Sequence, residues 1–193
     1  MYVVIEGIDC VGKTTQIELL KKYFKEAIFT KEPGATKLGE KIREILLNGE
    51  IEFSKKTELL LFLADRANHI DLFLSKYKDK LVISDRSFIS GMAYANEFDK
   101  KTLFELNLFA TNGIFPKKVV FLYASKELIK QRLAFKKLDT IEKRGVKYFL
   151  EIQNKLEEVL NFLQNKIDFE ILKLDASLSI QEIHEKIKEF IDG

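Results

Sequence analysis

The chain has 193 residues, 46% of them apolar and 32% charged, a balance that suits a folded core and argues against disorder. Lys and Arg number 32 against 30 Asp and Glu, so the net charge of +2 is too small for broad attraction to nucleic acid or membrane, and any phosphate affinity must be local. One cysteine excludes an internal disulfide, no apolar run approaches the roughly 18 residues that span a bilayer, and the start lacks a leader's basic and long apolar regions, so a cytoplasmic protein is expected.

The first predicted element is a strand at "YVVI" (2 to 5), followed by Gly7, Ile8, Asp9, Cys10, Val11, Gly12, Lys13 and Thr14, a full match to G-x-x-x-x-G-K-[ST]. A helix follows at "TTQIELLKKYF", whose first residues are Thr14 and Thr15. The two glycines let the backbone turn its N–H groups inward, and the helix adds its positive end. Lys13 supplies a full charge to the outer phosphates, and the Thr14 hydroxyl can ligate Mg²⁺.

Further apolar runs recur at "AIFT" (27 to 30), "LVIS" (81 to 84), "VVFLY" (119 to 123) and "FEILKL" (169 to 174), and most of the runs are too continuous for half-exposed strands. Helical spacing lies between them in "TELLLFLADRANHIDLFLSKY" and "VKYFLEIQNKLEEVLNFLQ". The alternation predicts an α/β fold, a five-stranded parallel sheet with helices on both faces, in a single domain over 1–193. Ligands then belong beyond the carboxyl ends of the strands. The third strand ends there with Asp85 and Arg86, where the carboxylate can orient magnesium and the guanidinium can grip a phosphate; a surface ion pair is the plainer alternative.

Phe62 and Arg66 are four apart and so neighbours on one helix face, offering a flat apolar surface and a donor for a base oxygen. From spacing alone, in a helix this apolar, Phe62 reads as a core position before a stacking platform. The basic stretch from 130 to 147 suits a mobile flap at about 132–147 or merely a solvated surface. Asn165-Lys166-Ile167-Asp168 matches the guanine-reading N-K-x-D, but it precedes the last strand, at the wrong edge of the sheet for that role. His69 and His184 lack metal spacing and read as ordinary helix-face residues.

Taken in order, "VVIEGIDCVGKTTQ", "KEPGATKLGEKIREIL", "LLFLADRANHI", "ISDRSFISGMAY" and "RLAFKKLDTIE" resemble the thymidylate kinases, a family of phosphate-loop nucleoside monophosphate kinases, through most of the chain. The resemblance implies ATP- and Mg²⁺-dependent phosphorylation of dTMP to dTDP by a homodimer. It implies that Phe62 stacks on thymine and that Arg66 reaches a thymine oxygen. Asp9 would hold the 3′-hydroxyl or order the transferring region, and Glu32, Pro33 and Gly34 would shape the monophosphate site. Arg86 would clamp the dTMP phosphate, Ser90 and Gly91 would border the base, Tyr94 would crowd the sugar's 2′ position, and Arg132 would lie flat on adenine. Spacing alone leaves Tyr94 equally a helix-face residue with its hydroxyl in water.

Three positions depart from the family pattern. Cys10 stands where some members carry a loop cation, Thr140 follows Asp139 where a flap arginine is common, and Ala35 replaces a glycine. Lys136, Lys137 and Arg144 are the candidates for the missing cation. Other acceptors, either a different nucleoside monophosphate or a deoxynucleoside, and a non-catalytic nucleotide switch are the competing readings.

Overall fold

The computed structural model describes residues 1–48, 51–134 and 145–193. The strands β1 (Tyr2–Glu6), β2 (Ile28–Lys31), β3 (Val82–Asp85), β4 (Lys118–Tyr123) and β5 (Glu170–Asp175) form one sheet in the order β2-β3-β1-β4-β5. Each neighbouring pair is parallel. All the predicted strands are present, but β1, β2, β3 and β5 run one residue further than expected, closing on Glu6, Lys31, Asp85 and Asp175. A reading that follows apolar runs stops at such polar closing residues, although the ladder does not.

Val3, Val4 and Ile5 are consecutive and wholly buried, as are Val119 and Val120. Successive strand side chains point to opposite faces, so both faces of the sheet centre are covered. The covering helices among the described residues are α1 (Lys13–Tyr23), α2 (Lys37–Asn48), α3 (Lys55–Leu72), α4 (Phe88–Tyr94), α5 (Lys100–Thr111), α6 (Lys126–Ala134), α7 (Gly145–Leu163) and α8 (Ile180–Asp192). From β1 the chain crosses to the β2 edge through α1, and every later crossover moves the other way across the sheet. Right-handed crossovers therefore put α1 on one face and α2 to α7 on the other, and α8 returns to pack on α1.

The helices start where side chains cap them. Ser54 accepts from the Thr57 amide, Asp99 from the Thr102 amide, and Ser179 forms a capping box with Glu182. The predicted helix over 57 to 77 is interrupted at Phe73 (φ −124°, ψ −70°) and resumes as a 3₁₀ turn at Leu74–Tyr77. The break lets Leu74 join Ile70 and Val82 in a small apolar cluster of their own. His184 is buried rather than on an open helix face, its ring edge-on to Tyr23 of α1. The N-K-x-D residues precede β5 at the amino edge of the sheet, as expected, and Asp168 is 100% exposed.

On α7, Phe149, Ile152, Leu156, Val159, Leu160 and Leu163 form a buried stripe at helical spacing against the main core. Fully burying one such side chain stabilises by about 1.5–3 kcal/mol. Leu156→Ala should lower the free energy of unfolding by about 2–5 kcal/mol in urea denaturation; a loss under about 1 kcal/mol would contradict this packing.

Candidate active site

The parallel sheet gathers the segments that follow β1, β2, β3, β4 and β5 at one edge, and a cleft of about 1340 Å³ opens there. A single small-molecule pocket is typically about 300–1,000 Å³, so this space suits more than one small ligand.

The loop after β1 lies at its centre. Gly7 has φ +145°, and a Cβ on it would sit 2.5 Å from the Leu122 carbonyl of β4, so only glycine lets loop and strand approach. Ile8 and Val11 are buried in the core, which leaves only their backbone at the cleft. Gly12, at φ +99°, precedes α1 without a side-chain cap, so the first amides of the helix remain open to an anion. Asp9, Cys10, Thr14 and Thr15 line the cleft as expected.

Lys13 is 7% exposed, and its ammonium donates to the carbonyls of Gly7 (3.0 Å) and Ile8 (2.7 Å), 3.7 Å from Asp9. Burial, aided by the neighbouring Arg86 charge, lowers its pKa to about 8, with Asp9, Asp85 and Glu6 opposing.

Arg86 has left-handed φ (+67°) and a largely buried guanidinium. Its Nη1 donates to the Gly7 carbonyl and the Ser90 hydroxyl, each at 3.0 Å, and its Nη2 donates to Asp9 at 2.5 Å. The plain surface pair with Asp85 is therefore not formed. Instead the Oδ1 of Asp85 is buried with no hydrogen-bond partner among the described residues. Tyr94 stacks its ring over the Arg86 guanidinium at 5.5 Å, and burial pushes its hydroxyl up to about 12. That hydroxyl is buried and finds no hydrogen bond of good geometry among the described residues, and its burial excludes the solvent-facing alternative.

Glu6 was not singled out by sequence reasoning as a site residue. It is buried at the end of β1 and accepts from the hydroxyls of Ser87 (2.8 Å) and Ser90 (2.5 Å), while burial raises its carboxyl above the ordinary value. The available signal was a carboxylate closing a buried strand immediately before the phosphate loop. Ser90 is thereby held between Glu6 and Arg86.

On the opposite wall, the peptide between Glu32 and Pro33 is cis, and Gly34 (φ +102°) donates its amide to Asp65 at 3.2 Å. Arg43 of α2, also unanticipated, donates to the Pro33 carbonyl at 3.1 Å and presents a second guanidinium to the cleft. Half-buried Phe62 lines the cleft, so it is not a core position. Arg66 is 2% exposed, with Nε bonded to Glu32 (2.8 Å) and Nη1 to Asn107 (2.7 Å). Glycine at position 91 is required by packing, since a Cβ there would lie 2.8 Å from Arg66 Nη2. His69, expected on an ordinary helix face, is 0% exposed and bonds Glu32 at 3.0 Å and Thr30 at 2.8 Å.

At the far end, Arg132 of α6 spans from the Cys10 carbonyl (2.9 Å) to the Ala176 carbonyl after β5 (2.7 Å). The flap cations Lys136, Lys137 and Arg144 lie outside the described residues.

A phosphate loop on a parallel sheet, with cations converging from two further strand ends, defines a nucleotide-dependent phosphotransferase. The family model for thymidylate kinase matches residues 5–187. The thymidylate kinase of Campylobacter lari is 67% identical over 193 residues, covering 100% of both chains, and that of Wolinella succinogenes is 54% identical over 187 residues, covering 97% of this chain and 96% of its own. In fold, the chain is similar to the crystal structure of thymidylate kinase from Ehrlichia chaffeensis, with a TM-score of 0.76 at 22% identity over 100% of this chain and 98% of the other. This chain belongs to the thymidylate kinase family.

The lowered Lys13 pKa has a sign that can be measured. A lysine held below its unfolded value disfavours the fold while charged, so stability rises as pH climbs from about 8 toward the ordinary lysine value. A bound polyphosphate reverses the shift, so ATP binding should draw protons onto Lys13 at a pH above about 8 and should weaken as the pH rises further. Calorimetry in buffers of different ionisation enthalpy reads this uptake, and Lys13→Met should remove it. No uptake in the unmodified protein would contradict the assignment.

Proposed function

We propose that this enzyme transfers the γ-phosphoryl group of ATP to the phosphate of dTMP, giving ADP and dTDP. The observation that carries the reading is the position of Arg86, one guanidinium bonded at once to the phosphate loop (Gly7, Asp9) and to α4 of the acceptor wall (Ser90). A group so placed spans the line between donor and acceptor phosphates.

The acceptor is already a phosphate oxyanion, so it needs no strong general base and catalysis is chiefly positioning and charge neutralisation. A dTMP oxygen forms the new bond to the γ-phosphorus as the bridging oxygen to the β-phosphate leaves with its electron pair on ADP. Lys13 turns from the Gly7 and Ile8 carbonyls to the β,γ-oxygens, and Arg86 aligns the acceptor phosphate with Arg43 beside it. Phe62 faces thymine, Arg66 meets a base oxygen, and Ser90 and Gly91 complete that wall. Tyr94 occupies the space of a ribose 2′-hydroxyl, and Arg132 covers adenine. The Asp85 oxygen that has no partner among the described residues and the hydroxyl of exposed Thr14 are hard oxygen donors at the same edge and fit Mg²⁺. When bound there, Mg²⁺ supplies charge neutralisation of the outer phosphates.

With ATP and Mg²⁺, the acceptor panel dTMP, dUMP, dCMP, AMP and thymidine should show the highest kcat/KM for dTMP. Arg86→Ala and Lys13→Ala should each lower kcat by at least about a hundredfold in a coupled ADP-release assay. Preference for another acceptor would remove the thymine roles, and near-normal turnover in both variants would remove the mechanism.

We also propose a homodimer. Leu60 and Leu72 of α3 and Leu108 and Phe109 of α5 are large exposed apolar side chains on helices that pack together, Phe109 being 84% exposed. Sedimentation at micromolar concentration should show a dimer that Phe109→Glu converts to monomer; an unchanged dimer would place the interface elsewhere.

A further inference from the structure

Glu32, Arg66 and His69 form a dry polar cluster between β2 and α3. Burial alone would raise the Glu32 carboxyl, but Arg66, with His69 assisting, holds it below the ordinary value, so Glu32 is an anion that only accepts. The proton facing it therefore belongs to His69 Nδ1, which donates to Oε1 at 3.0 Å. On the ring's other side, Nε2 lies 2.8 Å from the Thr30 hydroxyl of β2, which keeps the imidazole from turning. The second carboxylate oxygen, Oε2, takes Arg66 Nε at 2.8 Å.

This arrangement leaves an ordinary pairing unused. A carboxylate beside an arginine tends to take Nε–H and Nη2–H together, two parallel bonds on one edge of the guanidinium. Here only Nε is taken, and Oε1 is instead held on the imidazole side by His69 Nδ1. Nη1 is bonded to Asn107, whose own amide is fixed by the Leu103 carbonyl at 2.7 Å. Nη2 makes no hydrogen bond among the described residues and lies against Gly91 at the cleft wall.

We propose that His69 is a positioning residue for acceptor recognition: by occupying one oxygen of Glu32 it denies that carboxylate the second Arg66 bond and keeps Nη2 turned to the cleft, where it donates to a carbonyl oxygen of the acceptor base. The inference rests on the reading of this cleft as the dTMP site. Without the imidazole, Glu32 Oε1 would lose its donor, and rotation onto Nη2 would relieve it. The carboxylate would then compete with the base for Nη2 and draw the guanidinium off the cleft wall, whereas the phosphate loop, on another strand, would be untouched.

The test compares His69→Phe, which keeps the ring volume without the donor, with His69→Asn, whose amide N–H stands near the Nδ1–H position, and His69→Gln, whose amide reaches toward Thr30 instead. His69→Phe and His69→Gln should raise KM for dTMP about 10- to 100-fold, the loss of one hydrogen bond to a charged group. KM for ATP should stay within about twofold, and His69→Asn should restore most of the dTMP affinity. A purely structural role would lower the melting temperature of all three variants without separating the two KM values, and that result overturns the proposal; so does His69→Gln outperforming His69→Asn. If His69→Phe fails to fold, the Asn and Gln pair decides alone. Phe62→Ala separates the two levels of the argument. A raised dTMP KM in Phe62→Ala with none in the His69 variants defeats the positioning role alone. No change in Phe62→Ala defeats the reading of the cleft.

Discussion

The site depends on a guanidinium that is bonded to two walls at once. Arg86 leaves β3 in a left-handed conformation and meets the Gly7 carbonyl, Asp9 and Ser90. A buried cation costs several kcal/mol unless its hydrogen bonds are satisfied, so these partners are a condition of its presence. Glu6 continues the chain: it fixes Ser90, and through it the start of α4, against the end of β1. Donor loop and acceptor wall are thus held by one polar network that runs across the β1–β3 pair, whose register sets Ile5 beside Asp85.

The same network explains how two cations rest beside an open phosphate loop. Lys13 is turned onto the carbonyls of its own loop, and Arg86 is turned onto Asp9 and Gly7. Each partner is a weak or movable acceptor that a polyphosphate can replace. Burial and the neighbouring Arg86 charge lower the pKa of Lys13, because the loop carbonyls do not fully replace the water lost. An arriving anion therefore gains both the electrostatic attraction and the relief of a poorly solvated ammonium.

The acceptor wall follows a different logic. Glu32, Arg66, His69 and Asn107 are almost wholly buried and bonded to one another, with only Arg66 Nη2 left over toward the cleft, which makes that wall stiff before any ligand arrives. Preorganised donors lose little on binding, and they select a partner by which oxygen they leave uncovered.

How much of this was legible varies residue by residue. The phosphate loop could be read in full because its chemistry is local: two glycines, a lysine and a threonine within eight positions make the cradle by backbone geometry alone. The central strands β1, β3 and β4 could be read because a strand covered on both faces needs a continuous apolar run, whereas the edge strands β2 and β5 are only partly covered and were legible through their β-branched and aromatic residues. Arg43, Glu6 and His69 could not be assigned, since each looks like an ordinary charged or polar residue until its partner, distant in sequence, is placed beside it. The sequence by itself determined the element order, the class of sheet and the place of the phosphate loop, all of which rest on short-range spacing. The tertiary structure alone decided that Arg86 pairs with Asp9 rather than Asp85, that Gly91 makes room for Arg66, and that a histidine on α3 faces a buried carboxylate, because those outcomes are set by contacts between strands and helices tens of residues apart.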